Sequence, residues 1–352
     1  MDQRYFSEKL AEWYLKHRRN LPWRKTRAPY NVWLSEIILQ QTRVAQGLPY
    51  YNRFVEAFPD VFSLARATEE DVLRCWQGLG YYSRARNLHR CAKTIVEQYG
   101  GDFPGSYNDL LKLPGIGPYT AAAIASICYH EPVAVVDGNV FRVLSRVFGI
   151  DADIASPVGK EVFQTMASRL IQGRNPEEHN QALMEFGALC CTPRQPLCDS
   201  CIMNDSCFAF LHSMQHLLPV KTKSKKPDKR FFYYFVVQKG NTLLMKKRAG
   251  RDIWQGLYDF MLVEKPQAVR SARMLAANVF SPEMSDTQQM IISPPYKHQL
   301  SHQTIITRFI ILPENTAFSA VEEPLEYYSM DKINDLPKPV LISRFLSDYN
   351  FL

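Results

Sequence analysis

The chain has 352 residues, 46 % of them hydrophobic and 22 % charged, so it has the length for two or three domains and enough apolar surface to exclude wholesale disorder. No run of about 18 apolar residues exists, which leaves out a membrane-spanning helix, and the charged, amphipathic start MDQRYFSEKLAEWYLKHRRN lacks the apolar block of a secretory signal, so a cytoplasmic location is expected. The formal net charge of +7 points only loosely to an anionic partner.

Residues 5–210 read as helical. Amphipathic segments are predicted at Tyr5–His17, Tyr30–Gln41, Leu48–Ala57, Glu69–Gln77, Ser83–Tyr99, Tyr107–Leu111, Pro118–Tyr129, Asn139–Phe148, Lys160–Ile171 and Pro176–Leu189, with breakers such as FPD, GGDFPGS and GRNP between them. Glu36 is a single acid in the otherwise apolar SEIILQQTR, with Trp33 and Leu39 one turn to either side. Such surroundings raise a carboxyl pKa and suit a proton donor near neutral pH. A paired helix acid is the plainer alternative. In LPGIGPYTAAAIAS, Gly115 and Gly117 permit a tight turn between two helices, and the second helix starts with its N–H groups directed outward. A helix-hairpin-helix of this kind grips a DNA phosphate without reading sequence; an ordinary helical corner fits the two glycines equally well. Asp137 follows the β-branched run of VVDG and precedes the amphipathic GNVFRVLSRVFG, the position of a strand-to-helix N-cap. Accepting backbone N–H bonds there would hold its pKa low.

Four of the eight cysteines, Cys191, Cys198, Cys201 and Cys207, follow a C-x6-C-x2-C-x5-C pattern. In a reducing compartment disulfides are disfavoured. Only the central pair is close, which favours one [4Fe–4S] cluster wrapped by a single loop over a zinc site built from two short arms. Cys190 is read as a spare thiol, and Cys75, Cys91 and Cys128 as small helix side chains. The segment Lys221–Arg230 carries six basic residues against one acid and reads as a solvated linker able to lie along a phosphate backbone. After it the texture changes: RFFYYFVVQ, NTLLMKKR and TIITRFIIL are strand signals, so an α+β domain is expected from about residue 231.

The succession of LPGIGPYTA, VVDGNVFRVLSR and the four-cysteine loop resembles the helix-hairpin-helix, Gly/Pro-Asp superfamily of DNA glycosylases, and LPWRKTRAPYNVWLSEIILQQTRV with GLGYYSRARNLH is similar to its MutY-type adenine-specific branch. The resemblance is close over residues 20–207 and looser beyond. It implies a mainly α catalytic region at 1–211, made of a six-helix subdomain at about 22–128 and an iron–sulfur subdomain at about 1–21 and 129–211, then a basic linker at 212–230 and a Nudix-like lesion-recognition domain at 231–352. It implies a monomer acting on double-stranded DNA with adenine opposite 8-oxoguanine or guanine, flipping the adenine into a pocket. Glu36 would protonate the leaving base and Asp137 would stabilise the sugar cation, by the two-carboxylate logic of glycoside hydrolysis. Tyr119 and Asn139 would hydrogen-bond Asp137 and the reacting centre.

The same resemblance places Trp23, Arg24, Leu39 and Gln181 around the adenine. It places Gln41 and an intercalating Tyr81 at the opened pair, and Gly115 and Gly117 on a phosphate. Ser301 and His302, in YKHQLSHQTI, would meet the oxidised base, although Leu300 stands where a phenylalanine is expected. KPQAVRSARMLAANVF lacks the glutamates a catalytic Nudix helix needs to hold magnesium. Strand-cutting relatives carry a lysine two residues past the second hairpin glycine, and Tyr119 occupies that place, so a monofunctional hydrolase is expected. The alternatives are an endonuclease III-like glycosylase and lyase for oxidised pyrimidines, and a non-catalytic damage-binding module.

Overall fold

Short polar side chains start many of the helices. Asp2, Thr68, Ser106, Asp137, Ser156 and Asn175 each accept an N–H bond from the first turn that follows, which satisfies donors that a helix leaves without internal partners. The computed structural model describes residues 1–222, 227–280, 290–300, 302–313 and 324–351. Its first helices are α1 (Gln3–His17), α2 (Pro29–Leu39), α3 (Val44–Ala57), α4 (Val61–Arg66), α5 (Glu69–Trp76) and α6 (Ser83–Tyr99). They are followed by α7 (Tyr107–Leu110), α8 (Pro118–Tyr129), α9 (Gly138–Phe148), α10 (Pro157–Leu170), α11 (Pro176–Leu189) and α12 (Phe208–Leu211).

Two of these lie where the sequence suggested breaks or loops. Asp60, in the supposed breaker FPD, accepts the Ser63 N–H at 2.6 Å while the Ser63 hydroxyl accepts from the Asp60 N–H, so the segment that follows the end of α3 also starts α4. The short α12 follows the last clustered cysteine. Helix α3 begins at Val44 rather than Leu48 and carries Pro49 in its interior, and α10 begins at Pro157, capped by the Ser156 hydroxyl, rather than at Lys160.

The chain divides into two compact units, Met1–Arg66 with Asn87–Lys223, and Ala67–Arg86 with Ser224–Leu352. In the first, α1, α9, α10 and α11 enclose a core of Phe6, Val140, Leu144, Phe163 and Phe186, all at most 1 % exposed. A phenyl ring buried this fully contributes roughly 2 kcal/mol. Helix α2 packs on α8, with Trp33 fully buried and edge-on to Phe103 at 5.3 Å.

Residues 131–137, which contain the β-branched run before Asp137, form no strand. Their backbone groups pair with side chains instead: Val135 N–H donates to Asn180 Oδ1 at 3.0 Å, Asn180 Nδ2 donates to the Val133 carbonyl at 2.9 Å, and Gln164 Nε2 donates to the Ala134 carbonyl at 3.1 Å.

The second unit is built on a sheet. Its strands are β1 (Asp228–Lys239), β2 (Thr242–Lys247), β3 (Tyr258–Asp259), β4 (Met261–Lys265), β5 (Ile291–Ile292), β6 (Tyr296–Gln299), β7 (Gln303–Leu312) and β8 (Glu326–Ser329). Strand β1 starts at Asp228, inside the basic run, because it pairs in parallel with β7 from Asp228 opposite Gln303 to Val237 opposite Leu312. Its other edge takes β4 and then β2, both antiparallel. A continuous buried run from Phe232 to Val237 follows from cover on both faces. One face carries Tyr234, Phe260 and Phe309 against Phe345 of α15 (Val340–Asp348), with the Phe309 and Phe345 rings stacked at 3.9 Å. The other carries Tyr233, Phe235 and Val237 against Leu275 and Ala276 of α13 (Ala272–Phe280). A short α14 (Met330–Asp335) lies between β8 and α15. Helix α5 and its flanks belong to this unit: Glu70 accepts from the Tyr258 hydroxyl at 3.0 Å, Gln77 Oε1 from Lys338 N–H at 3.2 Å, and the Gln255 carbonyl from Arg86 at 2.8 Å.

Candidate active site

A cleft of about 950 Å³ opens in the helical unit, and both lone carboxylates line it. Glu36 projects from α2, and its residue is 9 % exposed. Burial pushes its pKa up to about 7, with Asp137 adding repulsion, while a hydrogen bond from Tyr119 and the charge of Arg24 pull the other way. Asp137 caps α9: its carboxylate accepts Asn139 N–H at 2.9 Å, Val140 N–H at 2.8 Å and Asn139 Nδ2 at 2.8 Å. An acid with three such donors is expected to sit low. Here burial outweighs them and Asp137 lies above its ordinary value. The sequence could display the cap but not the depth at which it is buried.

Asn139 is held in one orientation. Its Oδ1 accepts from Arg142 Nη2 at 2.8 Å, so its amide nitrogen faces Asp137. The approach of α11 makes this arrangement tight: a Cβ on Gly187 would stand 2.6 Å from the Asn139 Cβ. Arg142 also donates to the carbonyls of Gly187 at 2.7 Å and Cys191 at 2.7 Å. Tyr119, on the first turn of α8, donates its hydroxyl to the Met184 sulfur at 3.5 Å and stands near enough to Glu36 to favour its ionised form.

The cleft also gathers Trp23, Arg24, Leu39, Gln41 and Gln181. The Trp23 ring meets Tyr51 edge-on at 5.0 Å. Gln181 Oε1 accepts from the Tyr14 hydroxyl at 2.8 Å, which leaves its amide nitrogen as donor, 3.5 Å from Glu177. Gln41 takes a left-handed backbone, φ 58°, just beyond the C-cap of α2. Arg24 is committed to a partner that the sequence reading passed over: its Nη1 and Nη2 meet the two Glu185 oxygens at 2.9 and 2.8 Å. Glu185 is the single acid in the apolar second half of α11, ALMEFGAL, the signal that drew attention to Glu36, and the same reasoning finds it.

Five cysteines line a second, small apolar pocket: the four of the spaced pattern, together with Cys190. Arg146 donates to Cys191 Sγ at 3.5 Å and Met203 N–H to Cys201 Sγ at 3.4 Å, the kind of N–H donation that stabilises thiolate charge. Cys190, read as a spare thiol, lines the same pocket and is a free thiol like the others. Among the described residues no three Cys, His, Asp or Glu side chains converge tightly enough for a single metal ion. The thiols around this pocket are soft donors of the kind that hold iron–sulfur groups.

Residues 34–169 match the model of the HhH-GPD superfamily base excision DNA repair protein, residues 191–207 the iron-sulfur binding domain of endonuclease III, and residues 233–348 a NUDIX domain. The adenine DNA glycosylase of Buchnera aphidicola subsp. Schizaphis graminum is 33 % identical over 340 residues, which span 95 % of this chain and 96 % of that one. The chain belongs to the adenine DNA glycosylase family. The human adenine DNA glycosylase is 42 % identical over 233 residues, 63 % of this chain and 43 % of its own. The solved structure of a thermostable thymine-DNA glycosylase, 27 % identical, superposes with a TM-score of 0.55 over 60 % of this chain and 97 % of its own.

This adenine DNA glycosylase family member is thus a DNA glycosylase with an iron–sulfur loop. In its hairpin, Gly115 has φ +76° and a Cβ there would meet Asn87 at 2.6 Å. Gly117 has open space above it and is the N-cap of α8. Tyr81, in the sheet-containing unit, is 44 % exposed with φ 48°. His302 is exposed at the β6–β7 turn, its carbonyl accepting from Asp228 N–H at 3.2 Å. Ser301 lies outside the described residues. His298, four residues before His302 and on β6, packs edge-on to Trp254 at 5.5 Å, and burial lowers its pKa.

Proposed function

We propose that this chain hydrolyses the N-glycosidic bond of adenine mispaired with 8-oxoguanine, or with guanine, in duplex DNA, without cutting the strand. One observation carries the reading: Glu36 and Asp137 line one cleft, both are buried, and Asp137 holds three N–H donors. Both carboxyls are raised by burial. Asp137 already accepts three N–H bonds, which favour its ionised form, so the proton is assigned to Glu36. A neutral acid and a carboxylate then stand side by side near neutral pH.

In the proposed reaction the flipped adenine enters the cleft against Trp23, with Arg24, Gln181 and Leu39 around it. Glu36 gives its proton to adenine N7 as the electrons of the C1′–N9 bond leave with the base. The cationic sugar left behind is stabilised by the Asp137 carboxylate, held in place by Asn139. Water adds to C1′ and its proton returns to Glu36, which restores the starting state. Tyr119 offers no amine, so no Schiff base forms on the side chain at that position. Gly115 and Gly117 would expose backbone N–H groups to a phosphate, with Gln41 and Tyr81 filling the opened pair. His302, with Ser301, would meet the oxidised base. The four cysteines Cys191, Cys198, Cys201 and Cys207 would hold a [4Fe–4S] cluster. The chain would work as a monomer in the cytoplasm.

Single-turnover base release from duplexes carrying adenine opposite 8-oxoguanine, guanine or thymine tests the reading. Release should be fastest opposite 8-oxoguanine, and Glu36→Gln and Asp137→Asn should each lower the rate by about 10²–10⁴-fold. Unchanged rates in either variant would sink it. Borohydride should capture far less covalent complex than a true lyase gives, and the purified protein should contain iron and sulfide in a four-to-four ratio per chain.

A further inference from the structure

We propose that Glu185 is a positioning residue for base excision: it fixes Arg24 in the wall of the cleft and takes up the charge of two arginines, so that neither pairs with Glu36. This rests on the reading of Glu36 as the proton donor. Glu185 is 1 % exposed. It accepts five N–H bonds: Arg19 N–H at 2.9 Å, Arg19 Nε at 2.8 Å, Arg19 Nη2 at 2.6 Å, and Arg24 Nη1 and Nη2 at 2.9 and 2.8 Å. Burial alone would raise its pKa, yet these bonds bring it down to about 2, so it stays ionised wherever the protein is folded.

The clamp ties the segment around the short helix Pro22–Arg24 to α11, and Arg19, Arg24, Glu185 and Glu36 all line the same cleft. A clamp needed only for packing could be apolar, since a buried ion pair gains little over well-packed side chains of equal volume. This one has an electrostatic consequence. Arg24 favours the ionised form of Glu36, and Tyr119 and Asp137 are the other groups acting on that carboxyl. Tyr14 is the further titratable group beside the clamp; Arg24 lies 6.0 Å from the centre of its ring. Without the Glu185 carboxylate, Arg24 has two other acids within the cleft, Glu36 and Asp137. Pairing with Glu36, on which Arg24 already acts, would draw the proton away from the donor.

The test is the pH profile of single-turnover adenine release by the full chain. In Glu185→Gln, which keeps the shape, the alkaline limb should move down by about one pH unit, which makes release about tenfold slower at pH 8, about twofold slower at pH 6 and nearly unchanged at pH 5. Glu185→Asp should move the limb the same way by less, and remains informative if the amide variant does not fold. In Glu185→Gln with Arg24→Gln the limb should return to its wild-type position, whatever the absolute rate. If both single variants lose rate equally at every pH, the clamp is structural only and the inference fails. Glu36→Gln run alongside separates the two claims: full activity there overturns the proton-donor reading itself, whereas an inactive Glu36→Gln with an unmoved limb in the Glu185 variants overturns only the clamp.

Discussion

A proton donor for base excision is costly to build, because its carboxyl must be buried to stay protonated. Glu36 shows the cost in a measurable form. Unfolded, it loses its proton near 4.5; folded, near 7. Below pH 4.5 both states hold the proton and nothing is lost. Between the two values the folded state keeps a proton that the unfolded state gives up, so stability falls as pH rises, by about 3 kcal/mol once pH exceeds 7. Glu36→Gln should therefore be more stable than the wild type at pH 8, with the gap closing toward pH 4.5, as read from denaturant midpoints at each pH; equal midpoints at pH 8 would mean that the carboxyl is not strained by burial. Gly115 is the second residue at which a single atom decides. Its backbone is left-handed and a Cβ would run into Asn87, so Gly115→Ala should cost about 1–3 kcal/mol and weaken binding to undamaged duplex, measurable by titration at fixed salt.

At the level of elements, long periodic runs declared themselves and side-chain-supported backbone did not. Helices α2, α8 and α9 follow from apolar spacing and their flanking signals, and β1 and β7 from β-branched and aromatic runs. Helix α4 escaped because Phe58-Pro59-Asp60 reads as a stop, while Asp60 with Ser63 is also a start. The run before Asp137 has the composition of a strand, but its hydrogen-bond partners are the side chains of Asn180 and Gln164, far along the chain. No local pattern shows that. Of the residues in the cleft, Glu36, Asp137 and Trp23 stand out by type and place, whereas the depth that raises Asp137 exists only after folding. Asn180 therefore deserves the weight of a backbone element. It is 1 % exposed, and Asn180→Leu would leave the buried Val135 N–H and the half-buried Val133 carbonyl without their partners. A loss of about 2–4 kcal/mol in chemical denaturation is expected, together with slower adenine release, because this segment delivers Asp137 to the cleft. A variant of wild-type stability would show that water replaces the amide.

Over the whole molecule, order in sequence and order in space part company. A boundary drawn by texture falls near the basic run, where helical patterning gives way to strands. The compact units are drawn differently: Ala67–Arg86 goes with the sheet, although about 140 residues of helical chain separate the two in sequence. Contacts such as Glu70 with Tyr258, Gln77 with Lys338 and Arg86 with Gln255 join residues whose separation no periodicity reports. A chain ending at residue 222 would keep the carboxylate cleft and the cysteine pocket intact, since every residue lining them precedes that point. It would nevertheless strip α5 and its flanks of three buried or half-buried polar partners and of the apolar surface beside them. Local stability in that segment should then drop well below the rest of the fragment. Amide exchange followed by mass spectrometry should show residues 67–86 exchanging at least tenfold faster in the truncated chain than in the full one, with α8, α9 and α11 unchanged. Equal protection of 67–86 in both would mean that this segment is held by its helical neighbours alone, and that the division into units follows the sequence after all.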